Sequence, residues 1–492
     1  MSQPLRQNGV FMKSIWNNTS FPEPKTLKKD LHDIDTVVIG AGICGILTAY
    51  FLAQKGQKVI VVEADRIGSG QTKNTTAKIT SQHGLFYSKL IKTHGIDAAR
   101  SYADANQKAV RQYIDLSASL SIPCDMQIMP AALYTNSQNA KLEEEYLAAS
   151  SLGIDCVLQK SPELPFPATS VLLFRNQAQF NPMPFLHKLS ENLTIYENSR
   201  VLAVKEHTVI AAQGTISAQN IVFATHYPFI NMPGFYFLRM HQERSYVIAI
   251  ENADILNGMY YGIDADGLSF RNYNSLLLVG GFGHRTGKAD IGNPYRHLQK
   301  RALKLWPDSK VVAHWSAQDC VSIDDIPYIG HYSNLRPYWY VATGFKKWGM
   351  STSMVSAQIV SDLITCGISE HAEIFNPCRR LFTQALKNLG KEIGQSSIGL
   401  SKTFLTYPLS GIDTIAPGEA KIIHHKGRKI GIYKAKDGVL YPVSVKCPHL
   451  GCELSWNPHE LSWDCPCHGS RFDDIGHIKN APAIRDAVIR YR

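Results

Sequence analysis

The alternation of apolar and polar residues in the first part of the chain predicts a strand, a helix and a second strand in close succession. Residues 35–39 form a short apolar run, residues 46–54 carry apolar side chains at helical spacing, and residues 59–62 are again continuously apolar. Gly56 ends the helix between the two runs. A strand–helix–strand unit of this kind is typical of a parallel sheet in an α/β domain.

Further along the chain, the same patterning predicts a region that is mostly β. Strands are predicted at residues 193–197, 200–205, 208–212 and 221–226, and an antiparallel insert at 239–287 with strands at 245–250, 268–273 and 276–279. Residues 86–121 have the apolar stripe of an amphipathic helix, and residues 125–180 combine short strands with proline-rich turns. An antiparallel sheet beside a parallel one is a place where a substrate pocket would form.

The end of the chain has a pattern of its own. Residues 385–403 are small and polar, which indicates a linker, and short strands are predicted after it at 420–424, 429–433 and 440–444. A chain of 492 residues is too long for one ordinary core. We therefore predict an N-terminal arm at 1–33, an α/β domain with an antiparallel sheet at 34–384, the linker, and an all-β domain at 404–492.

A glycine-rich turn joins the first predicted strand to the first predicted helix. Gly40, Gly42 and Gly45 form a Gly-x-Gly-x-x-Gly pattern. The first glycine permits a tight turn, the second lets the backbone approach a pyrophosphate, and the third lets helix and strand pack closely. Glu63, at the end of the second strand, can accept a hydrogen bond from a ribose 2′-hydroxyl. Together these residues predict a dinucleotide site.

The loop after Glu63 favours FAD over NAD as the dinucleotide. Residues 63–78 are rich in glycine and hydroxyl side chains. Thr75, Thr76 and Ala77 would offer hydroxyls and amides to the pyrophosphate and to the ribityl side of a flavin. The alternative interpretation is an ordinary surface loop.

A second helix start and one arginine are candidates for contact with flavin and substrate. Gly344 follows a predicted strand, and Trp348-Gly349-Met350 begin the helix after it. Placed under the isoalloxazine, that helix N-terminus would stabilise negative charge on the reduced ring. Arg271, in a predicted strand of the insert, is a candidate catalytic residue that could bind a substrate carboxylate, or it could form a structural ion pair.

Four cysteines and two histidines are concentrated in one short stretch near the C-terminus. Cys447-x-His449 and Cys465-x-x-His468 each offer one thiolate and one imidazole. A [2Fe–2S] cluster with two cysteines on one iron and two histidines on the other needs those four ligands. A zinc site is the alternative, although zinc sites commonly use pairs of closely spaced cysteines and this one would leave two cysteines over.

Composition and charge limit the partners and the cellular compartment that are expected for this protein. The formal net charge is +10, but the lysines and arginines are scattered and no nucleic-acid-binding motif is present, so no nucleic-acid partner is expected. The sequence contains no apolar run long enough for a transmembrane segment, and its beginning lacks the apolar core of a signal peptide. We therefore expect a cytoplasmic protein.

Cys-Pro-His-Leu-Gly-Cys at 447–452 and Cys-Pro-Cys-His-Gly-Ser at 465–470 resemble the Rieske iron–sulfur family, in its cytochrome bc-type branch. The resemblance implies a [2Fe–2S] cluster with one iron on Cys447 and Cys465, the other on His449 and His468, and a disulfide between Cys452 and Cys467. Ser470 matches a family serine that hydrogen-bonds a cluster sulfide, whereas Phe472 stands where high-potential members carry tyrosine. The cluster potential is therefore expected to lie below that of respiratory Rieske proteins.

The chain from about residue 34 to about 370 resembles the FAD-dependent D-amino-acid oxidase superfamily, which includes glycine and sarcosine oxidases. The resemblance rests on the glycine pattern with Glu63, on an Asp-x-x-Pro-x-x-Gly stretch ending at Gly330, and on Ala-Thr-Gly-Phe…Trp-Gly at 342–349. It implies an FAD-binding Rossmann domain with a sheet-based substrate domain, and hydride removal from the α-carbon of an amine. The whole chain looks like bacterial fusions of such an oxidoreductase to a Rieske module.

The two resemblances together define the expected function. We expect a flavin-dependent oxidoreductase that oxidises a small amine or amino-acid-like substrate at FAD and passes electrons singly through the cluster to an external acceptor. One alternative is reverse flow, from an external electron donor through the cluster to the flavin. The other is a redox sensor in which flavin and cluster report their state to a partner.

Overall fold

The structure is a computed structural model of the chain. It describes residues 6–7, 10–11, 13–16, 19–137, 140–160, 164–288, 292–379, 390, 394, 411–425 and 427–489. The predicted linker at 385–403 lies outside these ranges except for Gly390 and Gly394. The predicted domain boundaries at 34–384 and 404–492 therefore stay predictions.

The strands are distributed over the whole described chain. They are β1 (Arg6–Gln7), β2 (Val10–Phe11), β3 (Leu31–Ile39), β4 (Val59–Val62), β5 (Lys78–Ile79), β6 (Gln127–Thr135), β7 (Cys156–Lys160), β8 (Ser170–Gln179), β9 (Thr194–Tyr196), β10 (Val201–Lys205), β11 (Thr208–Ala211), β12 (Gly214–Phe223), β13 (Met240–Glu251), β14 (Met259–Gly262), β15 (Ser269–Tyr273), β16 (Leu276–Arg285), β17 (Lys310–Ser322), β18 (Tyr328–Ser333), β19 (Arg336–Thr343), β20 (Ala420–His425), β21 (Arg428–Lys434), β22 (Leu440–Ser444), β23 (Ser455–Asn457), β24 (Ser462–Asp464), β25 (Arg471–Asp473) and β26 (Ile478–Asn480).

The helices all precede the C-terminal strands. They are α1 (Ile43–Gln54), α2 (Tyr87–His94), α3 (Ile96–Ser119), α4 (Ala140–Ser151), α5 (Pro182–Ser190), α6 (Tyr236–Arg239), α7 (Pro294–Leu305), α8 (Gly349–Cys366) and α9 (Ala372–Phe375). Within the described residues, no helix combines the length and the apolar character needed to cross a membrane.

One sheet has a parallel centre, as the first sequence pattern predicts. Parallel pairing joins β19, β12, β3, β4 and β9. The connection from β3 through α1 to β4 is the predicted strand–helix–strand unit. α1 is buried along most of its length and packs against α8, so the two helices that begin at the candidate cofactor loops lie side by side.

The other large sheet is mostly antiparallel and corresponds to the predicted insert with its neighbours. Its order is β1-β2-β17-β13-β16-β15-β14-β6-β8-β5, and β7 pairs with β8. The predicted strands at 245–250, 268–273 and 276–279 correspond to β13, β15 and β16. β13 extends back to Met240 because residues 240–244 alternate between buried and half-buried positions.

Three details differ from the sequence patterns. The apolar stripe at 86–121 is two helices rather than one, because Gly95 has a φ of 85° and breaks the stretch into α2 and α3. The prediction of strands and turns across 125–180 is wrong for α4, which buries Leu142 and Glu145 on one face. The N-terminal arm, predicted to be irregular, contributes β1 and β2 to the large sheet, and Trp16 lies in the core, where its Nε1 donates to the Thr75 carbonyl oxygen at 2.7 Å.

The C-terminal part is all-β, as predicted. It contains the sheet β20-β21-β22 and the sheet β23-β24-β25-β26. The two sheets approach closely where the ring of Trp463 lies on Gly431, because a Cβ at that glycine would be 2.5 Å from the ring. Phe472 is fully buried beside Trp463 in the same small core. The fold class is therefore confirmed for both parts of the chain: a Rossmann-type α/β domain with an antiparallel-sheet domain, and an all-β domain.

Candidate functional site

The glycine turn after β3 is as tight as its sequence predicts. Gly40 has a φ of 106°, and a Cβ there would lie 2.5 Å from the Ala224 carbonyl oxygen. A Cβ at Gly45 would lie 1.9 Å from the Gly40 carbonyl oxygen, so neither position accepts a side chain. Gly42 is the N-cap of α1 and contributes no side-chain cap. The Ile43 amide donates to the Thr72 hydroxyl at 2.9 Å, and the positive end of α1 at this glycine turn fits the predicted dinucleotide.

Glu63 lies at the carboxyl end of β4, next to this turn. Its carboxylate accepts from the Ala41 amide at 2.7 Å and from the Asp65 amide at 2.9 Å. Burial raises its pKa above the ordinary value for a glutamate, although those amides oppose the rise. A carboxylate fixed in this way fits an acceptor for ribose hydroxyls.

The loop at Thr75–Ala77 is held from both sides rather than lying free on the surface. The Ala77 amide donates to the Thr75 hydroxyl at 2.9 Å, and Ala77 has a φ of 55°. The Arg271 guanidinium donates to the carbonyl oxygens of Thr76, Ala77 and Phe180. Arg271 is almost completely buried, and burial lowers its pKa to about 9. These contacts assign the guanidinium to shaping the loop, and Arg271 is not among the residues that line the cleft described next.

A cleft of about 740 Å³ opens beside this loop. Of the residues predicted to contact the flavin, Thr75, Thr76, Trp348 and Met350 line it. Gly349 is the first residue of α8, and Gly344 turns the chain after β19 with a φ of 77°. The structure thus brings together the two predicted flavin-binding segments, which are more than 250 residues apart in the sequence.

Trp348 is held in the cleft wall by a stacked histidine. The rings of His83 and Trp348 lie 5.0 Å apart with an interplanar angle of 12°. Burial lowers the pKa of His83 to about 3, so this imidazole is neutral, and it contacts the Tyr102 hydroxyl at 2.7 Å. A neutral, hydrogen-bonded ring makes His83 a support for Trp348 rather than a proton carrier.

Two acid–lysine sets line the cleft, and their charges compensate one another. Lys347 lies 3.3 Å from Asp319, and Lys346 lies 3.0 Å from Asp325. Asp325 also pairs with Lys89 at 2.5 Å. Burial would lower the pKa of Lys347, but the charge of Asp319 raises it, so this lysine stays protonated.

Lys78 is the cleft lysine without such compensation. Its ammonium donates to the Tyr260 carbonyl oxygen at 2.9 Å and to the Ser269 hydroxyl at 2.6 Å, and in the described part of the chain it has no carboxylate partner. Burial and the neighbouring charge of Arg271 lower its pKa to about 7. A buried amine with only neutral oxygen partners is suited to receive an anion.

The predicted cluster ligands are brought together by the two loops that precede β23 and β25. The ring centroids of His449 and His468 lie 5.0 Å apart, and the thiols of Cys447 and Cys465 are close enough to share a hydrogen bond. His449 Nδ1 is buried with no hydrogen-bond partner in the described residues, and burial lowers the pKa of this imidazole to about 4. A neutral imidazole with an uncommitted buried nitrogen, beside two thiols, fits an iron ligand.

The two loops are tied to each other as well. Cys452 and Cys467 form a disulfide with an S–S distance of 2.14 Å. The Cys447 amide donates to the Cys452 carbonyl oxygen at 2.9 Å, which closes the first loop. The Ser470 hydroxyl accepts from the Ala483 amide at 2.9 Å and also contacts the Cys447 thiol, so its oxygen lies within reach of a ligand position.

The histidine side of the C-terminal domain faces the first domain. His449 Nε2 lies 2.8 Å from the Asn231 Oδ1 atom, and the Phe237 ring is 5.9 Å from that of His468. A buried ion network adds to this contact. Glu460 accepts from both Arg244 of the antiparallel sheet and Arg471, the latter at 3.0 Å. The two domains therefore share a polar, well-hydrogen-bonded interface.

Sequence reasoning did not identify Lys78 or the residues that hold the C-terminal domain. The available signal for Lys78 was its position directly after the Thr75–Ala77 loop, as the first residue of β5. No sequence pattern pointed to Arg244 or Glu460, since they are 216 residues apart. The assignments of the flavin-binding residues and of the cluster ligands stay predictions with which the geometry is compatible.

Comparison with known proteins supports both resemblances. The family model described as FAD dependent oxidoreductase matches residues 35–363, and that described as Rieske [2Fe-2S] domain matches residues 406–491. A protein of Bacillus subtilis (strain 168) named as a Rieske 2Fe-2S iron-sulfur protein, YhfW, is 36% identical over 491 residues, with 96% of each chain covered.

Solved structures agree at the level of the fold. L-proline dehydrogenase from P. horikoshii is similar with a TM-score of 0.61 and 17% identity, over 71% of this chain and 98% of that chain. Glycine oxidase from Geobacillus kaustophilus is similar with a TM-score of 0.60 and 17% identity, over 72% of this chain and 100% of that chain. At this identity the similarity shows the fold alone.

Proposed function

The chain belongs to the family of FAD-dependent oxidoreductases and carries a C-terminal Rieske [2Fe–2S] domain, and we propose that it oxidises a small amine or amino-acid-like substrate and delivers the electrons singly to an external acceptor. When bound, FAD supplies hydride acceptance and the cluster supplies one-electron exchange. The direction of flow, from substrate to acceptor, is part of the proposal.

The residues proposed to hold the two groups are those that the sequence predicts. For FAD they are Gly40, Gly42, Gly45, Glu63, Thr75, Thr76, Ala77, Gly344, Trp348, Gly349 and Met350; for the cluster they are Cys447, His449, Cys465 and His468, with the Cys452–Cys467 disulfide joining the loops. The start of α1 receives the pyrophosphate, and the start of α8 stabilises negative charge near the ring.

The cleft is the proposed substrate site, and one observation carries this assignment. The predicted flavin residues Thr75, Thr76 and Trp348 line the same cleft as the half-buried Lys78. A carboxylate bound to Lys78 would supply the anion that this ammonium lacks, and it would raise the lysine pKa from about 7. We therefore propose Lys78, rather than Arg271, as the carboxylate anchor.

The compensated pairs have a different role in this proposal. Lys347 is paired with Asp319, and Lys346 and Lys89 share Asp325, so each of these lysines already has a carboxylate partner. Lys78 is then the cleft lysine that is shielded from solvent and has only neutral partners in the described residues, whereas Lys288 is exposed. Such a site selects a substrate that carries one carboxylate near its reacting amine carbon.

An anaerobic titration of the holoprotein tests the proposal. A panel of amino acids and secondary amines is added, and flavin absorbance and the EPR signal of the reduced cluster are recorded together. We expect at least one carboxylate-bearing amine to bleach the flavin and then to raise the cluster signal. The corresponding amine without its carboxylate serves as the matched control and should react poorly.

Two outcomes would contradict the proposal. If no amine bleaches the flavin while dithionite does, the substrate class is wrong. If a reduced ferredoxin reduces the flavin faster than any amine does, the electrons run in the opposite direction.

A further inference from the structure

Strand β13 of the antiparallel sheet separates the substrate cleft from the Rieske domain. Glu243 and Ser245 line the cleft. Gln242, which precedes Glu243, and Arg244, which lies between Glu243 and Ser245, contact the Rieske domain. Because successive side chains of a strand point to opposite faces, one strand serves both sites.

The neighbouring strand β17 repeats this arrangement. Ala317 and Asp319 line the cleft. Ser316 donates to Glu460 at 2.7 Å, and Gln318 donates to the Gly469 carbonyl oxygen at 2.7 Å. The cleft and the Rieske domain are therefore on opposite faces of the same pair of strands, with a single sheet between them.

The loop that carries His468 is held through its main chain. The Arg285 guanidinium donates to the carbonyl oxygens of Pro466 and Cys467, at 3.3 and 3.0 Å. Gln242 Nε2 donates to the next carbonyl oxygen, that of His468, at 2.6 Å, and Gln318 Nε2 to the one after it. Four consecutive carbonyl groups of the loop thus accept from three side chains of the sheet.

The two glutamines also bind each other and are almost fully buried. Gln318 Nε2 donates to Gln242 Oε1 at 2.6 Å, and Gln318 Oε1 accepts from Arg244 at 3.1 Å. Gln242 Nε2 makes a second bond to the Ala481 carbonyl oxygen at 2.9 Å. Since every polar atom of both amides has a partner, each side chain has one orientation.

Hydrogen bonds also connect Gln318 with the flavin side of the protein. The main-chain amide of Gln318 donates to the Gln71 Oε1 atom at 2.7 Å. Gln71 precedes Thr72, whose hydroxyl accepts from the Ile43 amide at the start of α1 at 2.9 Å. Hydrogen bonds and short covalent segments therefore connect the proposed pyrophosphate site with the cluster loop.

We propose that Gln242, Arg285 and Gln318, here called the docking set, fix the cluster loop to the sheet, so that electrons cross this one sheet while the Rieske domain stays docked. This inference rests on the proposed function only in taking the flavin as electron source. The three residues are positioning residues, because they act on the main chain of the loop. The Rieske domain is then a stationary relay rather than a mobile carrier.

The electron balance of the relay is simple. Each crossing moves one electron and neither forms nor breaks a covalent bond. Oxidation of one substrate molecule releases two electrons, so two crossings occur. A one-electron acceptor protein must reoxidise the cluster between them.

The kinetic test uses light instead of substrate. The flavin of the anaerobic holoprotein is reduced by illumination with EDTA and no soluble mediator, so that electrons enter at the flavin, and growth of the cluster EPR signal is followed. In Gln318→Leu and in Gln242→Leu we expect flavin bleaching at the normal rate but slower cluster reduction. The expected slowing is about tenfold or more, since misplacement by about 1 Å can cost roughly 100-fold in a positioned reaction.

Gln179→Leu is the matched control. Gln179 is also buried in this sheet and also donates to another glutamine, Gln127, at 2.7 Å, but none of its hydrogen bonds reaches the Rieske domain. Cluster reduction in this variant should keep the rate of the unsubstituted protein. Equal cluster reduction rates in Gln318→Leu, Gln242→Leu and Gln179→Leu would overturn the proposal.

Amide hydrogen exchange of the unsubstituted holoprotein provides a second readout. It needs no turnover, and it does not depend on whether a substituted variant folds. The exchange of peptides covering residues 465–470 should be the same in the oxidised and the dithionite-reduced protein. Protection that disappears on reduction would show that the domain undocks and would refute the stationary relay. Neither measurement depends on turnover of a substrate in the cleft, so a failed substrate titration leaves both results interpretable.

Discussion

Two sets of buried charge lie near the antiparallel sheet, and they are built in different ways. Toward the Rieske domain, Glu460 is paired with both Arg244 and Arg471, and Arg471 is also paired with Asp464 at 2.9 Å. Toward the cleft, Lys78 has only the neutral oxygen atoms of Tyr260 and Ser269 as partners within the described residues. One set is balanced inside the protein, and the other is not.

The difference separates a structural role from a binding role. Burying a charge is costly unless it is paired, so a balanced network persists because its members satisfy each other. An unbalanced buried cation is retained at a cost in stability, and such groups are concentrated at functional sites. The comparison therefore predicts that changes in the first set affect stability, whereas changes in the second affect ligand affinity.

The largest expected effect is that of Glu460→Ala on stability. Removing Glu460 leaves the buried Arg244 without its carboxylate partner and Arg471 with Asp464 alone, and the loss of one partner of a buried ion pair typically costs about 3–5 kcal/mol. Denaturant unfolding of the holoprotein, followed by cluster absorbance, measures the loss for the Rieske part. Glu144→Ala removes an exposed partner of Lys92 and serves as the control, with an expected change within about 1 kcal/mol.

An equal loss in Glu460→Ala and Glu144→Ala would mean that the buried network contributes no more than an exposed pair.

The dependence of stability on acid pH gives a further check on the Glu460 carboxylate. Burial alone would raise the pKa of Glu460, but the charges of Arg244 and Arg471 hold it well below the ordinary value. Its contribution is therefore present above the pKa of an unfolded glutamate, near about 4.3, and is lost as the pH falls below it.

The next effect concerns affinity at the cleft. Lys78→Met should weaken binding of carboxylate ligands about 10- to 100-fold, because a hydrogen bond to a charged group contributes roughly 1.5–3 kcal/mol. Stability should be unchanged or increased, since an unpaired buried charge is removed. Titration with an amine-free carboxylate such as benzoate, read from the flavin absorbance, gives the affinity directly.

Lys288→Met is the matched control for this prediction. Lys288 also lines the cleft but is exposed to solvent, so its removal should change the affinity little. If the Lys78 and Lys288 variants lose affinity equally, the carboxylate is held by the overall positive charge of the cleft rather than by the Lys78 ammonium. Loss of stability in Lys78→Met would place this lysine with the structural set instead.

The smallest expected effect is a pH dependence of the same binding. Because burial and Arg271 lower the pKa of Lys78 to about 7, the ammonium form is dominant below that pH and is lost above it. A carboxylate binds the protonated form, so benzoate affinity should be constant at lower pH and should decline as the pH rises above about 7. The decline should be absent in Lys78→Met. A decline that persists in the variant would assign the titration to another group.

Much of the fold could be read from local patterns. The β3–α1–β4 unit and the turn at Gly40 were predicted because periodicity and backbone sterics act over neighbouring residues. The strands of the insert were predicted with approximate bounds for the same reason. The helix α4 was missed, because its short apolar stripe lies between proline-rich segments that favour turns.

The candidate sites also divide into those that neighbouring residues predict and those that only the tertiary structure shows. The four cluster ligands lie within 447–468, and their spacing alone limits which metal centre they can form. Arg271 was noticed as a cation in a strand, but only the structure shows that its donors are used by the carbonyl groups of the neighbouring loop. Whether an arginine meets a ligand or a backbone depends on neighbours that are far away in the sequence.

The sequence by itself determined the two families, the cofactors they bind and the order of the two parts of the chain, because contiguous motifs carry that information. Only the tertiary structure decided that Lys78 lies unbalanced in the cleft, and that Gln242 and Gln318 reach the loop of His468. The physical reason is strand register. A shift of one residue would turn Gln318 toward the cleft and Asp319 toward the Rieske domain, and the pairing that fixes this register joins β13 to a strand more than fifty residues away.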